Sequence, residues 1–446
     1  MKNTIILSLM LCSQLLLAKT IPAGPMLGHV GLKGANIWLV SPESGSVTIS
    51  YWPKNDPQAV RQRTESVDSD YGNTHTFRLN DLEPGTTYEY RLAVNGVAET
   101  DQPTYQLTTQ QLWQWRFDPP DFSVLAGSCS FENEKVYDRP GRPYGSDHEI
   151  FQQMATEDAD VMLWIGDNWY YREVDYTMEQ NLIYRVLRDR SRPHQQAVLH
   201  KFANYGTWDD HDFGPNNSGR EFIYKHQALE IFKRFWANPS YGMPEQQGVF
   251  TKVSHNDIDF FLMDNRFNKS HENMIDGPDK IYYGQAQLDW LKNSLLASYA
   301  PFKIIVGGGQ MLNDHHAYEG WDKYRHERDP FIQWLHEQKI TGVMFLSGDK
   351  HHTEMLRANR EGAYPLYEMT CSPLTAGTHS SKSGGDLDNP RLVKGSLVNE
   401  HNYCRFSFSG PRTDRRLKID VIGKEGQQYW STQIKSSVLS YNQVND

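Results

Sequence analysis

The sequence predicts a two-part α+β/α/β chain, in which a small all-β unit is followed by a larger unit of alternating strands and helices. Three observations carry that reading. Apolar and polar residues alternate through Ala35–Val40, Ser46–Trp52 and Thr74–Leu79. A proline joint, Asp118-Pro119-Pro120-Asp121, closes this stretch, and beyond it short apolar runs are separated by helix-length segments. Several of those runs end in Gly-Asp, Gly-Ser-Cys or an acidic tetrad, and ligands gather at the carboxyl ends of strands in α/β sheets.

Composition bounds the function classes. The chain has 446 residues, 38% hydrophobic and 22% charged, so a packed core is feasible and wholesale disorder is excluded. The formal charge is −10 and no basic stripe is present, which excludes nucleic acid as an obligate partner. Residues 1–18 read as a signal peptide: Lys2 is the positive n-region, Ile5 to Ala18 is mostly apolar, and Ala18 is a small cleavage residue. That run, about 14 residues, is too short to span a bilayer that needs about 20. No twin arginine precedes it, so the Sec route is expected. The mature chain is therefore expected to be secreted or periplasmic, monomeric and without a transmembrane segment. Cleavage leaves Cys129, Cys371 and Cys404, an odd count in an exported protein. Cys371 and Cys404 can pair or stay as buried thiols.

The elements follow in order. Over residues 21–115 the segment Leu82-Glu83-Pro84-Gly85-Thr86-Thr87-Tyr88 has the spacing of the tyrosine corner in fibronectin III-like sandwiches, with Tyr88 as the corner residue. Asn95-Gly96 is a hairpin turn. After the joint, strands are predicted at Phe122–Ala126, Val161–Ile165, Asp257–Met263, Phe302–Val306 and Gly342–Leu346. Helices are predicted at His148–Ala155, Tyr224–Ala237, Gln285–Ala297 and Phe331–Glu337, the third with Leu288, Leu291, Leu295 and Leu296 on one side. Ser380–Asn389 reads as a loop, and strands return at Cys404–Phe408, Arg416–Ile422 and Gln428–Ile434.

Metal-competent residues recur just beyond strand ends: Cys129, Asp167, the Asp209-Asp210-His211-Asp212 tetrad, Asp349 and His351. Loops held by one rigid sheet can converge on a point. Thiolate, carboxylate and imidazole are all metal donors, and a pair of cations sharing one ligand clamps a phosphoryl group and activates water.

The series Gly127-Ser128-Cys129, Gly166-Asp167-Asn168-Trp169-Tyr170, Trp208-Asp209-Asp210-His211-Asp212 and Ser347-Gly348-Asp349-Lys350-His351 resembles the motifs of the alkaline phosphatase D (PhoD-like) metallophosphoesterases. The resemblance spans residues 120–435, and the small β unit before it fits the same family. It implies a four-layer α-β-β-α metallophosphatase sandwich. It also implies hydrolysis of phosphate monoesters, diesters or both by a metal-activated hydroxide, with a small phosphate ester as substrate. Two or more metal ions are implied, Fe3+ plus Ca2+, with Zn, Mn or Mg as other divalent choices. Asp167 would bridge the metals. Cys129, Tyr170 and His351 would hold the ferric ion, and Asp210 and Asp349 the second, harder site. His211 would serve the leaving oxygen as proton donor or stabiliser. Arg266 and Asn217 would bind substrate, Arg266 by a bidentate grip on phosphate.

Other readings of these residues are open. Cys129 alone could be a buried structural thiol. Tyr170 could wall a pocket with Trp169 and Tyr171, and Arg266 could pair with Asp264. Residues alternate in direction along a strand, so Asp209 is expected to face away from the metals and orient a neighbour. His315 and His316 are expected to line a substrate pocket rather than ligate metal. A wide cleft walled by Trp169, Tyr171 and Trp321 would suit a diester. The alternative in another class is a surface-binding or adhesion protein with structural metals.

Overall fold

The computed structural model describes residues 19–67, 69–101, 103–315, 319–379 and 385–441. The signal segment, His316 and the first part of the 380–389 loop lie outside them. No helix among the described residues is long and apolar enough to cross a membrane.

The first eight strands are β1 (Ala23–Val30), β2 (Ala35–Val40), β3 (Gly45–Pro53), β4 (Arg61–Val67), β5 (Thr74–Leu79), β6 (Thr87–Val94), β7 (Val97–Ala98) and β8 (Tyr105–Thr108). They pair as β1-β2-β5 and as β4-β3-β6-β7, with β8 on β6. Alternate residues face inward between these sheets: Ile37, Leu39, Ile49, Tyr51, Phe77, Tyr90 and Leu92 share one buried cluster. Tyr88 makes its corner contact, its phenol oxygen accepting the Glu83 N–H at 2.9 Å. The outward residues Met26, Trp38 and Val40 are buried too, in a second cluster that includes Phe232 and Phe235. Trp38 Nε1 donates to the Arg234 carbonyl at 2.7 Å. The small sandwich thus docks through one of its faces.

The larger part contains strands β9 (Phe122–Gly127), β10 (Val161–Ile165), β11 (Ala203–Thr207), β12 (Thr251–His255), β13 (Ile258–Leu262), β14 (Lys303–Val306), β15 (Val343–Ser347), β16 (Glu354–Arg360), β17 (Ala363–Thr370), β18 (Asn402–Ser409), β19 (Arg416–Gly423) and β20 (Gln428–Lys435). Its helices are α1 (Glu149–Thr156), α2 (Glu179–Arg190), α3 (Pro193–Lys201), α4 (Asp210–Phe213), α5 (Lys225–Phe235), α6 (Gln285–Ala297) and α7 (Arg325–Glu337). Two six-stranded sheets form, ordered β11-β10-β9-β18-β19-β20 and β12-β13-β14-β15-β17-β16. The neighbours β9, β10 and β11 run parallel, as do β13, β14, β15 and β17.

Strand parity decides the layers. Val124, Ala126, Val161, Leu163 and Ile165 point between the sheets and pack with Phe260, Ile304 and Phe406. Leu125, Met162 and Trp164 point outward under Met154, Leu199 and Phe232. On the far side Leu288, Leu291, Phe331 and Leu335 cover the second sheet. This is the α-β-β-α order, with both sheets covered as parallel strands require.

Some expectations need correction. Leu296 is 54% exposed rather than facing the core with Leu288, Leu291 and Leu295. The next residue after Leu295 is turned by about 100° around the helix axis and leaves the apolar stripe. Helix α7 starts earlier than expected and contains Pro330. Trp169, Tyr171 and Trp321 are all buried in the core and wall no cleft. Cys371 and Cys404 are joined in a disulfide, and Cys129 is a free buried thiol.

Candidate metal centre

The carboxyl ends of the parallel strands of both sheets meet at one place. Gly348, just after β15, lies so close to the ends of β9 and β10 that an added Cβ would sit 2.6 Å from the Ile165 carbonyl and 2.6 Å from Ser128 Cβ. Its N–H donates to the Gly308 carbonyl, 2.7 Å away at the end of β14. Glycine is required there because two sheets touch backbone to backbone.

The site side chains leave these strand ends on left-handed backbone. Cys129 (φ 60°), Asp167 (φ 52°), Asn217 (φ 60°), Asp349 (φ 67°) and His351 (φ 55°) all have positive φ. Such a conformation costs a non-glycine residue on the order of 1 kcal/mol or more and persists only where the surroundings impose it. Cys129, Asp167 and Asp349 adopt it two residues beyond the ends of β9, β10 and β15, and Asn217 adopts it beyond α4.

Nine of the residues singled out in the sequence come together. Cys129 Sγ lies 3.6 Å from Asp167 Oδ2, and the Tyr170 phenol donates to that same oxygen at 3.1 Å. His351 Nε2 is 3.4 Å from the phenol. Its Nδ1 faces the Gly377 carbonyl at 2.5 Å, which holds the proton on Nδ1 and turns the Nε2 lone pair toward Tyr170. On the other side, Asp167 Oδ1 accepts the His211 N–H at 3.3 Å, and Asp210 Oδ2 accepts the Asn217 N–H at 2.7 Å. Donor atoms lie within 4.8 Å of one another in each of three sets: Cys129, Asp167 and His351; Asp167, Asp210 and His211; Asp209, Asp210 and Asp349. Asp167 belongs to the first two sets and Asp210 to the last two.

The acidic tetrad is folded by its own side chains. Asp210 opens the short helix α4, with Asp209 as its N-cap and Asp212 closing a capping box. Asp212 Oδ2 accepts the Asp209 N–H at 2.9 Å, and its Oδ1 accepts the Asn168 N–H at 2.6 Å. Asp212 therefore ties the loop after β11 to the loop after β10. Asp209 corrects the strand-alternation reading. It sits at a helix cap, not within a strand, so its carboxylate is not turned away from Asp210 and Asp349. It also orients neighbours: its Oδ1 takes Asn265 Nδ2 at 2.8 Å and contacts Arg266.

Arg266 is fully buried, and its N–H groups point at Asp209, Glu319 and the Ser218 carbonyl. The guanidinium as placed has no edge left for a bidentate grip on phosphate. Its partner Glu319, which also takes Lys269 Nζ at 2.7 Å, was not legible in the sequence. Asn217 does line the cleft above the cluster, as do Asp349 and His351. His315 is exposed at a turn and does not line it.

Further residues join the centre. Ser372 Oγ donates to Cys129 Sγ at 3.2 Å and accepts the His351 N–H at 3.0 Å. The Tyr144 hydroxyl lies 3.1 Å from His351 Nδ1. Ser372 follows β17, so recognising that strand would have flagged it. The cleft measures about 1090 Å³, and Arg142, Lys350, Lys424, His379 and His401 bring cationic or protonatable groups to its walls.

Electrostatics fit a cation-holding centre. Burial pushes the Cys129 thiol up to about 12. Burial, then the neighbouring Cys129 and Asp210, holds the Asp167 carboxyl well above the carboxylate range. Asp349 is pushed up to about 6 by burial, then by Asp210 and Glu319. Burial also acts on Asp210, but His211, Arg266 and the Asn217 N–H outweigh it and hold that carboxyl low. Asp209 Oδ2, Asp210 Oδ1 and His211 Nδ1 are buried with no hydrogen-bond partner. Packed carboxylates with orphaned oxygens are costly unless cations neutralise them. The donors suit two kinds of ion: thiolate, phenolate and imidazole on one side, carboxylates on the other.

Comparisons with known proteins bear on the family and the fold. A family described as PhoD-like phosphatase matches residues 128–411, and a domain of unknown function, DUF7800, matches residues 18–112. Alkaline phosphatase D of Bacillus subtilis (strain 168) is 22% identical over 399 residues, covering 78% of this chain. The match spans 64% of that relative's length. The solved structure of PhoD superposes with a TM-score of 0.77 at 16% identity, covering 95% of this chain and 91% of that one. A purple acid phosphatase from yellow lupin (Lupinus luteus) seeds superposes with a TM-score of 0.69 at 11% identity, covering 96% and 76%. These likenesses establish a metallophosphatase fold, and the family match over most of the larger part establishes that the chain belongs to the PhoD-like phosphatases.

Proposed function

We propose that the protein is an exported dinuclear metallophosphoesterase acting on phosphate monoesters, diesters or both. The observation that carries this is the shared position of Asp167, which lies in one donor set with Cys129 and His351 and in another with Asp210 and His211. In this reading residues 21–115 are an accessory sandwich and residues 120–435 the catalytic unit. Export is supported by the Cys371–Cys404 disulfide, a bond favoured in oxidising compartments.

Cys129, Tyr170 and His351 would hold a ferric ion, Asp210 and Asp349 a calcium ion, and Asp167 would bridge them. Bound cations would supply charge for the phosphoryl oxygens and acidify a water. The chain's own residues do the rest. The Gly377 carbonyl fixes the His351 tautomer. Asp212 keeps the loops bearing Asp167 and Asp210 in register. His211 lies against Tyr170, ring centroids 4.2 Å apart; burial lowers the pKa of its imidazole and the Asp210 charge opposes that. From there its ring N–H donates to the departing ester oxygen. Asn217 borders the cleft where the substrate would lie, and Arg266 holds Asp209 and Glu319 in place rather than gripping phosphate.

A panel of chromogenic phosphate monoesters and diesters tests the reading. Turnover of at least one class, lost on chelation and restored by added metal, is expected. Inactivity of the metal-loaded protein toward every ester would reject it.

A further inference from the structure

Outside the centre around Asp167, three side chains from separate segments converge on a second point. Glu132 lies in the loop after β9, His148 immediately precedes α1, and His194 sits in the first turn of α3. The Glu132 side chain is 3% exposed, while those of His148 and His194 are 25% and 17% exposed. His148 Nε2 lies 3.4 Å from Glu132 Oε2, and His194 Nε2 contacts Oε1. The two imidazoles stack with centroids 3.8 Å apart and planes 5° apart. One donor atom from each of the three residues lies within 4.8 Å of the other two.

The bland alternative is a carboxylate clamped between two imidazolium rings. Face-to-face cations repel, and Arg192 Nε, 3.8 Å from Glu132 Oε2, already brings one positive charge to that carboxylate. A neutral imidazole is the ligand form. Gln195 Nε2 donates to Glu132 Oε1 at 3.2 Å, the kind of outer contact that orients a ligating carboxylate.

We propose that Glu132, His148 and His194 form a zinc site that pins the loop following Cys129 to α1 and α3. Two histidines and one glutamate are a recognised zinc donor set with a fourth position left for water. Bond lengths of about 2.0–2.2 Å place tetrahedral donor atoms about 3.3–3.6 Å apart; His148 Nε2 and Glu132 Oε2 already stand 3.4 Å apart, whereas His194 Nε2, in hydrogen-bond contact with Oε1, has to draw back to admit the ion. Aiming both nitrogens at one ion requires the rings to splay from parallel, and their partial exposure at helix starts gives them room. The site shares no residue with the Asp167 centre. A shared ion would cross-link three separate segments, in parallel with the Gln195 Nε2 to Ser130 Oγ contact of 3.5 Å between α3 and this loop.

The test is anomalous diffraction at the zinc edge from crystals of the unaltered, zinc-loaded protein. A peak between Glu132, His148 and His194 is expected. Zinc peaks elsewhere with none there would overturn the proposal. Elemental analysis gives a second readout. After zinc loading and dialysis, Glu132→Gln and His148→Ala/His194→Ala should each retain one zinc per chain fewer than the unaltered protein. Equal zinc content would overturn it. If the double variant does not fold, the diffraction measurement decides.

Discussion

Cys129 Sγ lies 3.6 Å from Asp167 Oδ2, although the two residues leave different strands. Parallel pairing of β9 with β10 places both strand ends side by side. Left-handed backbone at each residue then turns thiol and carboxylate toward each other. Neither group ionises readily when buried without a cation.

Cys129→Ser should change which metal is held. If thiolate and phenolate bind a ferric ion, their charge-transfer absorption makes the protein coloured, and losing the sulfur should shift or bleach that band and lower iron content. An unchanged spectrum and iron content would remove Cys129 from the ligand set.

His211→Ala should lower kcat by roughly a hundredfold or more with metal content intact, as the loss of a proton donor does. The effect should shrink for esters with acidic leaving groups, which need no proton. A kcat within about threefold of the unaltered enzyme on a poor leaving group would exclude the role.

Metal and proton should oppose each other. Asp349, pushed up to about 6 by burial, Asp210 and Glu319, binds a proton in the folded metal-free chain at pH values where the unfolded chain, near 4, does not. The stripped protein should therefore gain stability from this group as pH falls from about 6 toward 4. In the loaded protein cations compete with that proton, so stability and metal content should drop over the same range. Melting at pH 5 and pH 8 with and without chelator checks this. Parallel pH profiles for the two forms would contradict it.

Arg266→Met should destabilise the protein by about 3–5 kcal/mol, because buried Asp209 and Glu319 lose their shared cation. Chemical denaturation measures this. A variant of native stability whose only defect is a raised KM would instead restore the phosphate-binding role.

Legibility in the sequence followed the physics of each segment. Val161–Ile165 is wholly apolar and ends in Gly-Asp, so both the strand and the Asp167 carboxylate just beyond it could be read. The helix Glu179–Arg190 could not, because Arg185, Asp189 and Arg190 are buried within it and break the apolar stripe. Arg185 is neutralised there by Asp175, and Arg190 packs over Trp236. The hairpin β16–β17 escaped because Glu354 and Glu368 are fully buried polar residues, one bound to Gln310 and the other to the Met311 and Leu312 N–H groups. Missing that hairpin hid Ser372. The partnership of Arg266 with Glu319 joins two loops 53 residues apart, and no local pattern encodes it.

The most direct measurement is elemental analysis paired with ester turnover on Asp167→Asn. A bridging carboxylate reduced to a neutral amide should leave the chain folded, deplete it of at least one metal and abolish hydrolysis. A folded variant that keeps its full metal complement and its full activity would show that Asp167 bridges nothing.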